Sequence, residues 1–169
     1  GAAKASLAIL FDQISGIDDS VQKLEQQIRV ASRENAVTQL VEQIPGIGKI
    51  TASLITASVS DPTVFKSGRD MAAWLGLTPR QNSSGGKQSL GGITKQGNRH
   101  LRTLLVLGAT SLLRAADKRQ GHLRDWIVML RARKPARLVT VAIANKLARI
   151  VWAVMTTGES FRGELFMKV

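Results

Sequence analysis

The sequence predicts a mainly α-helical protein. Apolar residues recur at helical spacing along most of the chain, no segment shows a clean period-two alternation, and no cysteine is present to build a disulfide framework in place of a packed core. The 169 residues, 44% apolar, suffice for one domain with its own core and an appended element. That appendage comes first. Leu7, Leu10, Ile14, Ile17, Val21, Leu24, Ile28 and Ala31 alternate steps of three and four, which is a heptad seam. A one-sided stripe needs a partner helix, so residues 1–38 are expected to be a coiled-coil segment that drives self-association; a helical hairpin folded onto its own domain is the alternative. Ser15 and Gly16 interrupt the seam, and Asp18, Asp19 and Ser20 offer caps for a second helix.

Residues 39–157 read as a compact helical domain. Pro45 ends one helix, and Gly46 and Gly48 permit a tight turn into the next. Such a turn presents the main-chain N–H groups of Gly48, Lys49 and Ile50 at a helix N-terminus, where a phosphate binds without regard to base sequence. The spacing resembles the helix-hairpin-helix of DNA repair proteins, and a simple buried turn is the competing explanation. A short helix over Gly68–Leu75 follows. From Gly76 to Asn98 the chain holds five glycines after Asn82 and no acidic residue, and is expected to be a long glycine-rich loop, functional or disordered. Leu101, Leu104, Leu105, Leu107, Leu112 and Leu113 then define a core helix with Arg99, Arg102 and Arg114 on other faces. His122–Arg133 gives a further helix, and Arg137–Met155 another that is apolar almost all round and therefore central. Residues 158–169 form an uninformative tail.

Charge narrows the class of partner. The 24 Lys and Arg against 12 Asp and Glu leave a net +12, and the excess is local: residues 80–149 carry fifteen basic side chains opposed by Asp117 and Asp125 alone. The first seventy residues hold seven basic and eight acidic side chains. A polyanion is the natural partner of the second half, with solvated helix faces as the bland reading. The most apolar stretch, Leu138–Met155, is interrupted by Asn145, Lys146 and Arg149, and the N-terminus lacks a basic region before an apolar core, so neither a membrane span nor a signal peptide is expected. The absence of cysteine is consistent with a reducing compartment. The expected location is the bacterial cytoplasm, in association with the nucleoid.

The side-chain inventory excludes several chemistries. There is no tyrosine, no acidic residue between Asp70 and Asp117, and neither His100 nor His122 has a cysteine or carboxylate pattern beside it. Breaking and rejoining DNA from these residues leaves serine or threonine as the nucleophile, and the glycine-rich segment supplies Ser83, Ser84 and Ser89 among Arg80, Lys87, Lys95 and Arg99. A serine hydroxyl needs help in losing its proton and in stabilising the phosphoryl transition state, a task that arginine's fork suits. Glycines 85, 86, 91 and 92 would let the main chain approach a phosphate. A flexible nucleic-acid-binding segment without chemistry fits the same composition.

Three ordered motifs carry a resemblance. The run Ile44–Ala52, the run Trp74-Leu75-Gly76-Leu77-Thr78-Pro79-Arg80-Gln81-Asn82-Ser83-Ser84-Gly85-Gly86-Lys87 and the run Gly91-Gly92-Ile93-Thr94-Lys95-Gln96-Gly97-Asn98-Arg99-His100-Leu101-Arg102 together resemble the C-terminal transposase domain of DEDD-type insertion-sequence transposases. These are bridge-RNA-guided recombinases related to Piv-type DNA invertases, and the match covers roughly residues 40–155. The resemblance implies that Ser84, with Ser83 as runner-up, attacks a DNA phosphate and forms a covalent phosphoserine link. Read from the residues themselves, the phosphate-binding candidates are Arg80, Lys87, Lys95, Arg99 and Arg102, alongside Gly46, Gly48 and Lys49 of the turn. The resemblance also implies a guide RNA pairing with DNA, a dimeric or tetrameric assembly, and a RuvC-like acidic domain holding a divalent metal such as Mg. No metal or other cofactor is expected on the residues of this chain. Lacking that acidic domain, the chain is expected to be catalytically silent alone.

Overall fold

The computed structural model describes residues 2–84 and 87–163, and of residues 82–90 no side chain. Helix α1 (Ala2–Glu34) is a single helix of 33 residues. It runs through Ser15 and Gly16 without a break, and Ser20 Oγ donates to Gly16 O at 2.8 Å, so the caps that the sequence offered at 18–20 are not used. Among the described residues its C-terminal end meets the rest of the chain, through α2 (Ala36–Glu42) and α3 (Lys49–Ser58). Ser32 and Ser53 share a hydrogen bond of 2.7 Å there, and Gln39 Nε2 donates to Arg33 O. Asn35 ends α1 and caps α2, its Oδ1 accepting from Thr38 N at 3.0 Å. The boundary expected at residue 38 therefore lies inside α2.

After a 3-10 turn at Pro62–Val64 comes α4 (Gly68–Trp74), capped by Ser67 Oγ, which accepts from Asp70 N. Next is a hairpin. Strands β1 (Pro79–Ser84) and β2 (Lys87–Ile93) pair antiparallel where a glycine-rich loop was expected. These strands escaped the periodicity test because Gln81–Ser84 and Lys87–Ser89 are polar throughout, leaving no alternation to detect; the main chain alone supplies the ladder. Then follow α5 (Arg99–Arg114), a 3-10 turn at Ala116–Lys118, α6 (His122–Arg131) and α7 (Ala136–Thr157). Gly158, at φ 68°, closes α7 by donating to Val154 O. The mainly helical class holds.

Helix α7 is the centre of the core, packed by α4, α5, α6 and α2. Val139, Ile143, Leu147, Ile150, Val151 and Val154 are all but inaccessible, and they meet Met71, Leu75, Leu101, Leu105, Leu112 and Ile127. Each such side chain contributes about 2 kcal/mol by leaving water. By length and hydropathy α7 is also apolar enough to cross a bilayer, and 44% of its most apolar stretch is buried against the rest of the protein. Its Trp152 Nε1 donates to Pro62 O at 3.1 Å, fastening the first 3-10 turn.

Candidate nucleic-acid interface

The hairpin is anchored at its root by side chains that grip main-chain carbonyls. Arg102 Nη1, on the first turn of α5, donates to Leu75 O at 3.1 Å and to Gln96 O at 3.0 Å, joining the segments that enter and leave the hairpin. Asn145 Nδ2 on α7 donates to Leu77 O, and Arg80 Nη2 donates to Thr94 O across the root. Two main-chain bonds, Thr94 N to Thr78 O and Lys95 N to Gly76 O, close it. The approach is so tight that a Cβ on Gly76 would collide with Gln96 O and one on Gly97 with Trp74 O. Both glycines also have positive φ, 70° and 79°.

Pairing runs Pro79 with Ile93, then Gln81 with Leu90, so Arg80 faces two residues of β2, and the extra one falls at Gly91–Gly92. Beyond it Ser83 pairs with Gln88 and Ser84 with Lys87. The main chain thus puts both candidate nucleophiles at the far end of the hairpin, with Ser84 opposite a lysine. The side chains of Ser83, Ser84, Lys87 and Ser89, and the whole of Gly85 and Gly86, lie outside the described residues.

Lys95 and Arg99 are exposed at the root. Lys95 holds φ 58°, the left-handed region that costs a residue with a side chain about 1 kcal/mol. Arg99 opens α5 just after Asn98, whose Oδ1 accepts from His100 N and Leu101 N. Arg80, Lys95, Arg99 and Arg102 are therefore gathered around one root. Arg102 and Arg80 differ from the other two, since their guanidinium groups hold carbonyls of the fold, two for Arg102 and one for Arg80. Thr94 Oγ1, buried in the same place, has no hydrogen-bond partner.

The turn before α3 is a separate place. Gly48 is the N-cap and no side chain satisfies the first N–H groups of α3, as the phosphate reading requires. Gly46, at φ 86°, is explained otherwise: its Cβ position faces α5, 2.9 Å from Leu112 Cδ1 and 3.1 Å from Gly108 O. The adjoining groove, about 330 Å³, is lined by Glu25, Ile28 and Arg29 of α1, Gly48–Thr51 and Leu104. Lys49 stands 3.9 Å from Glu42, so two carboxylates flank the turn and oppose a phosphate there. The α3 turn and the hairpin root line different grooves on α5, the latter formed by Ile93, Lys95, Arg102, Thr103, Val106 and Leu107.

Other cations are committed elsewhere. Asp117 accepts from both Nη1 and Nη2 of Arg131, at 2.9 and 2.7 Å, and this hydrogen bonding holds its carboxyl below the usual carboxylate range. Among the described residues no group of three His, Asp or Glu side chains could hold a metal ion. The divalent metal that the resemblance implies does not fit these residues. Sequence reasoning missed Asn98 and Asn145; the second was visible only as a polar interruption of an apolar helix.

A helical body thus holds out a glycine-bearing hairpin with a basic root. Residues 38–124 match the family described as Transposase IS116/IS110/IS902, and the chain belongs to that family. It is 47% identical over 151 residues to a putative transposase of Sinorhizobium fredii, which covers 89% of this chain and 37% of that protein. It is 38% identical to the transposase for insertion sequence element IS1111A of Coxiella burnetii, over 94% of this chain and 44% of that one. The pilin gene-inverting protein of Moraxella bovis is 28% identical over 89% of this chain and 48% of its own length. The chain thus spans less than half the length of these relatives.

Proposed function

We propose that this chain is the DNA-joining domain of an insertion-sequence transposase and that the hairpin delivers its nucleophile. The observation that supports this most is the placement of Ser83 and Ser84 at the far end of a strand pair whose root is tied to the body. In the reaction, Ser84 Oγ attacks the phosphorus of a DNA phosphodiester and loses its proton. The bond from phosphorus to the departing deoxyribose oxygen breaks, and that oxygen takes up a proton as a free hydroxyl. Attack on the phosphoserine by a hydroxyl end of another strand reverses these changes and seals the new joint. Arg80, Lys87, Lys95 and Arg99 neutralise the charge that develops on the phosphate oxygens, while Arg102 positions the hairpin. No step is assigned to a metal.

Relatives named as transposases and as a gene-inverting protein support DNA as the substrate. A guide RNA that pairs with donor and target DNA follows from the family resemblance, and in that arrangement base pairing, not side chains, reads sequence. Exposed Leu7, Leu10, Ile14, Ile17, Val21 and Leu24 support pairing of α1 with a second copy, as a dimer or within a tetramer.

Covalent trapping tests the nucleophile. With the full-length transposase carrying this domain, a denaturing gel should show a protein–DNA adduct that Ser84→Ala abolishes while DNA binding stays within about threefold. An adduct that survives Ser84→Ala and disappears in Ser83→Ala would move the assignment by one residue, and one that survives both would refute it.

A further inference from the structure

Helix α7 is apolar nearly all round, yet Asn145, Lys146 and Arg149 stand within it. Asn145 is accounted for by its bond to Leu77 O. Lys146 and Arg149, three residues apart, share one flank of the helix. Helix α4 begins directly against that flank: a Cβ on Gly68 would stand 3.0 Å from both Cα and O of Arg149, and the next residue is Arg69. Three cations from two helices therefore meet along one seam.

The fold does not compensate the two arginines. Arg149 Nε is buried without a hydrogen-bond partner. The ion pairs among the described residues are Lys49–Glu42, Arg124–Asp125 and Arg131–Asp117, so neither Arg69 nor Arg149 has a carboxylate. Burial first, and the charge of Arg69 second, push the Arg149 guanidinium below its ordinary value. Partial burial, then the charge of Arg149, does the same to Lys146. Like charges held together at a half-buried seam destabilise the chain alone and are offset when an anion arrives.

We propose that Arg69 and Arg149, with Lys146 beside them, bind a backbone phosphate of duplex DNA at the seam between α4 and α7. The inference rests on the reading of this chain as a DNA-handling domain. A phosphodiester offers two charged oxygens to a pair of guanidinium forks that have no carboxylate of their own among the described residues. The seam adjoins the hairpin root, because Asn145, next to Lys146, holds Leu77 two residues before β1. A duplex gripped at the root thus has a second hold on the body, formed by residues other than those of the hairpin.

Fluorescence anisotropy of this chain with a labelled 30-base-pair duplex, titrated from 50 to 300 mM salt, tests it. In the double variant Arg69→Gln, Arg149→Gln, affinity should fall at least about tenfold. The slope of log K against log salt should shrink by about 0.9, the share of the one phosphate no longer neutralised. The thermal midpoint should not drop, because a repulsive pair is removed; Arg69→Gln alone, at an exposed position, should show about half the change in slope. Unchanged affinity and slope in the double variant overturn the seam contact while leaving the DNA reading intact. An equal loss in Lys4→Gln, Lys23→Gln also overturns it, since net charge would then account for the effect. A larger loss for single-stranded RNA than for duplex overturns the choice of DNA. Wild-type chain that binds no duplex at any salt overturns the DNA reading and the seam contact together.

Discussion

Arg102 donates to Leu75 O and Gln96 O, and its removal strands two carbonyls at the point where the hairpin leaves the helices. Arg102→Ala should therefore lower the stability of the chain by about 2 kcal/mol in urea denaturation, whereas a surface ligand of phosphate would leave stability unchanged. Arg102→Lys should recover only part of the loss, because an ammonium cannot reproduce the fork. A second residue tests the crossing of α5 with the turn before α3. Gly108 lies in the middle of a helix, where alanine is ordinarily better by about 1 kcal/mol. Its added Cβ would collide with Gly46 O, so Gly108→Ala should instead destabilise by about 2 kcal/mol or more, read from the same denaturation curves. A gain in stability would show that the two segments are not in contact.

At the scale of elements, α1 is the unusual one. Its 33 residues extend about 50 Å at 1.5 Å per residue, and most of that length is exposed among the described residues. Leu10 and Leu24 remain 53% and 59% exposed, one full heptad pair apart on the same stripe. Leu10→Asp with Leu24→Asp should reduce self-association at least tenfold in sedimentation equilibrium without lowering the thermal midpoint of the helical body. An unchanged oligomeric state would remove α1 as the interface. The alternative that the seam folds back on its own domain does not occur among the described residues, because Gly16 is tolerated within a continuous helix. The hairpin is the opposite case: short, polar and without packing signal, it forms through main-chain pairing and is fixed by side chains borrowed from α5 and α7.

Across the whole molecule, what could be read from the sequence was what periodicity encodes. Leucines and isoleucines at steps of three and four located α1, α5, α6 and α7, and the all-round apolar character of α7 marked it as central. The hairpin was invisible for the converse reason, since a strand pair of serine, asparagine, glutamine and glycine carries no burial pattern. Arg102 was read as a phosphate ligand from its charge near glycines, and its hold on Leu75 O and Gln96 O was not legible there, because a main-chain acceptor leaves no mark on the sequence. The seam of Arg69, Lys146 and Arg149 was hidden by distance along the chain, with about eighty residues between Arg69 and Arg149. Motif order, by contrast, survived as a family signal because the hairpin root draws Trp74–Arg80 and Gly91–Arg102 into one place. That root is held by carbonyl oxygens, which every amino acid carries. A substitution at Leu75, Leu77, Thr94 or Gln96 leaves those acceptors in place, so the mooring is indifferent to residue type on the accepting side and exacting only at the donors Arg80, Arg102 and Asn145.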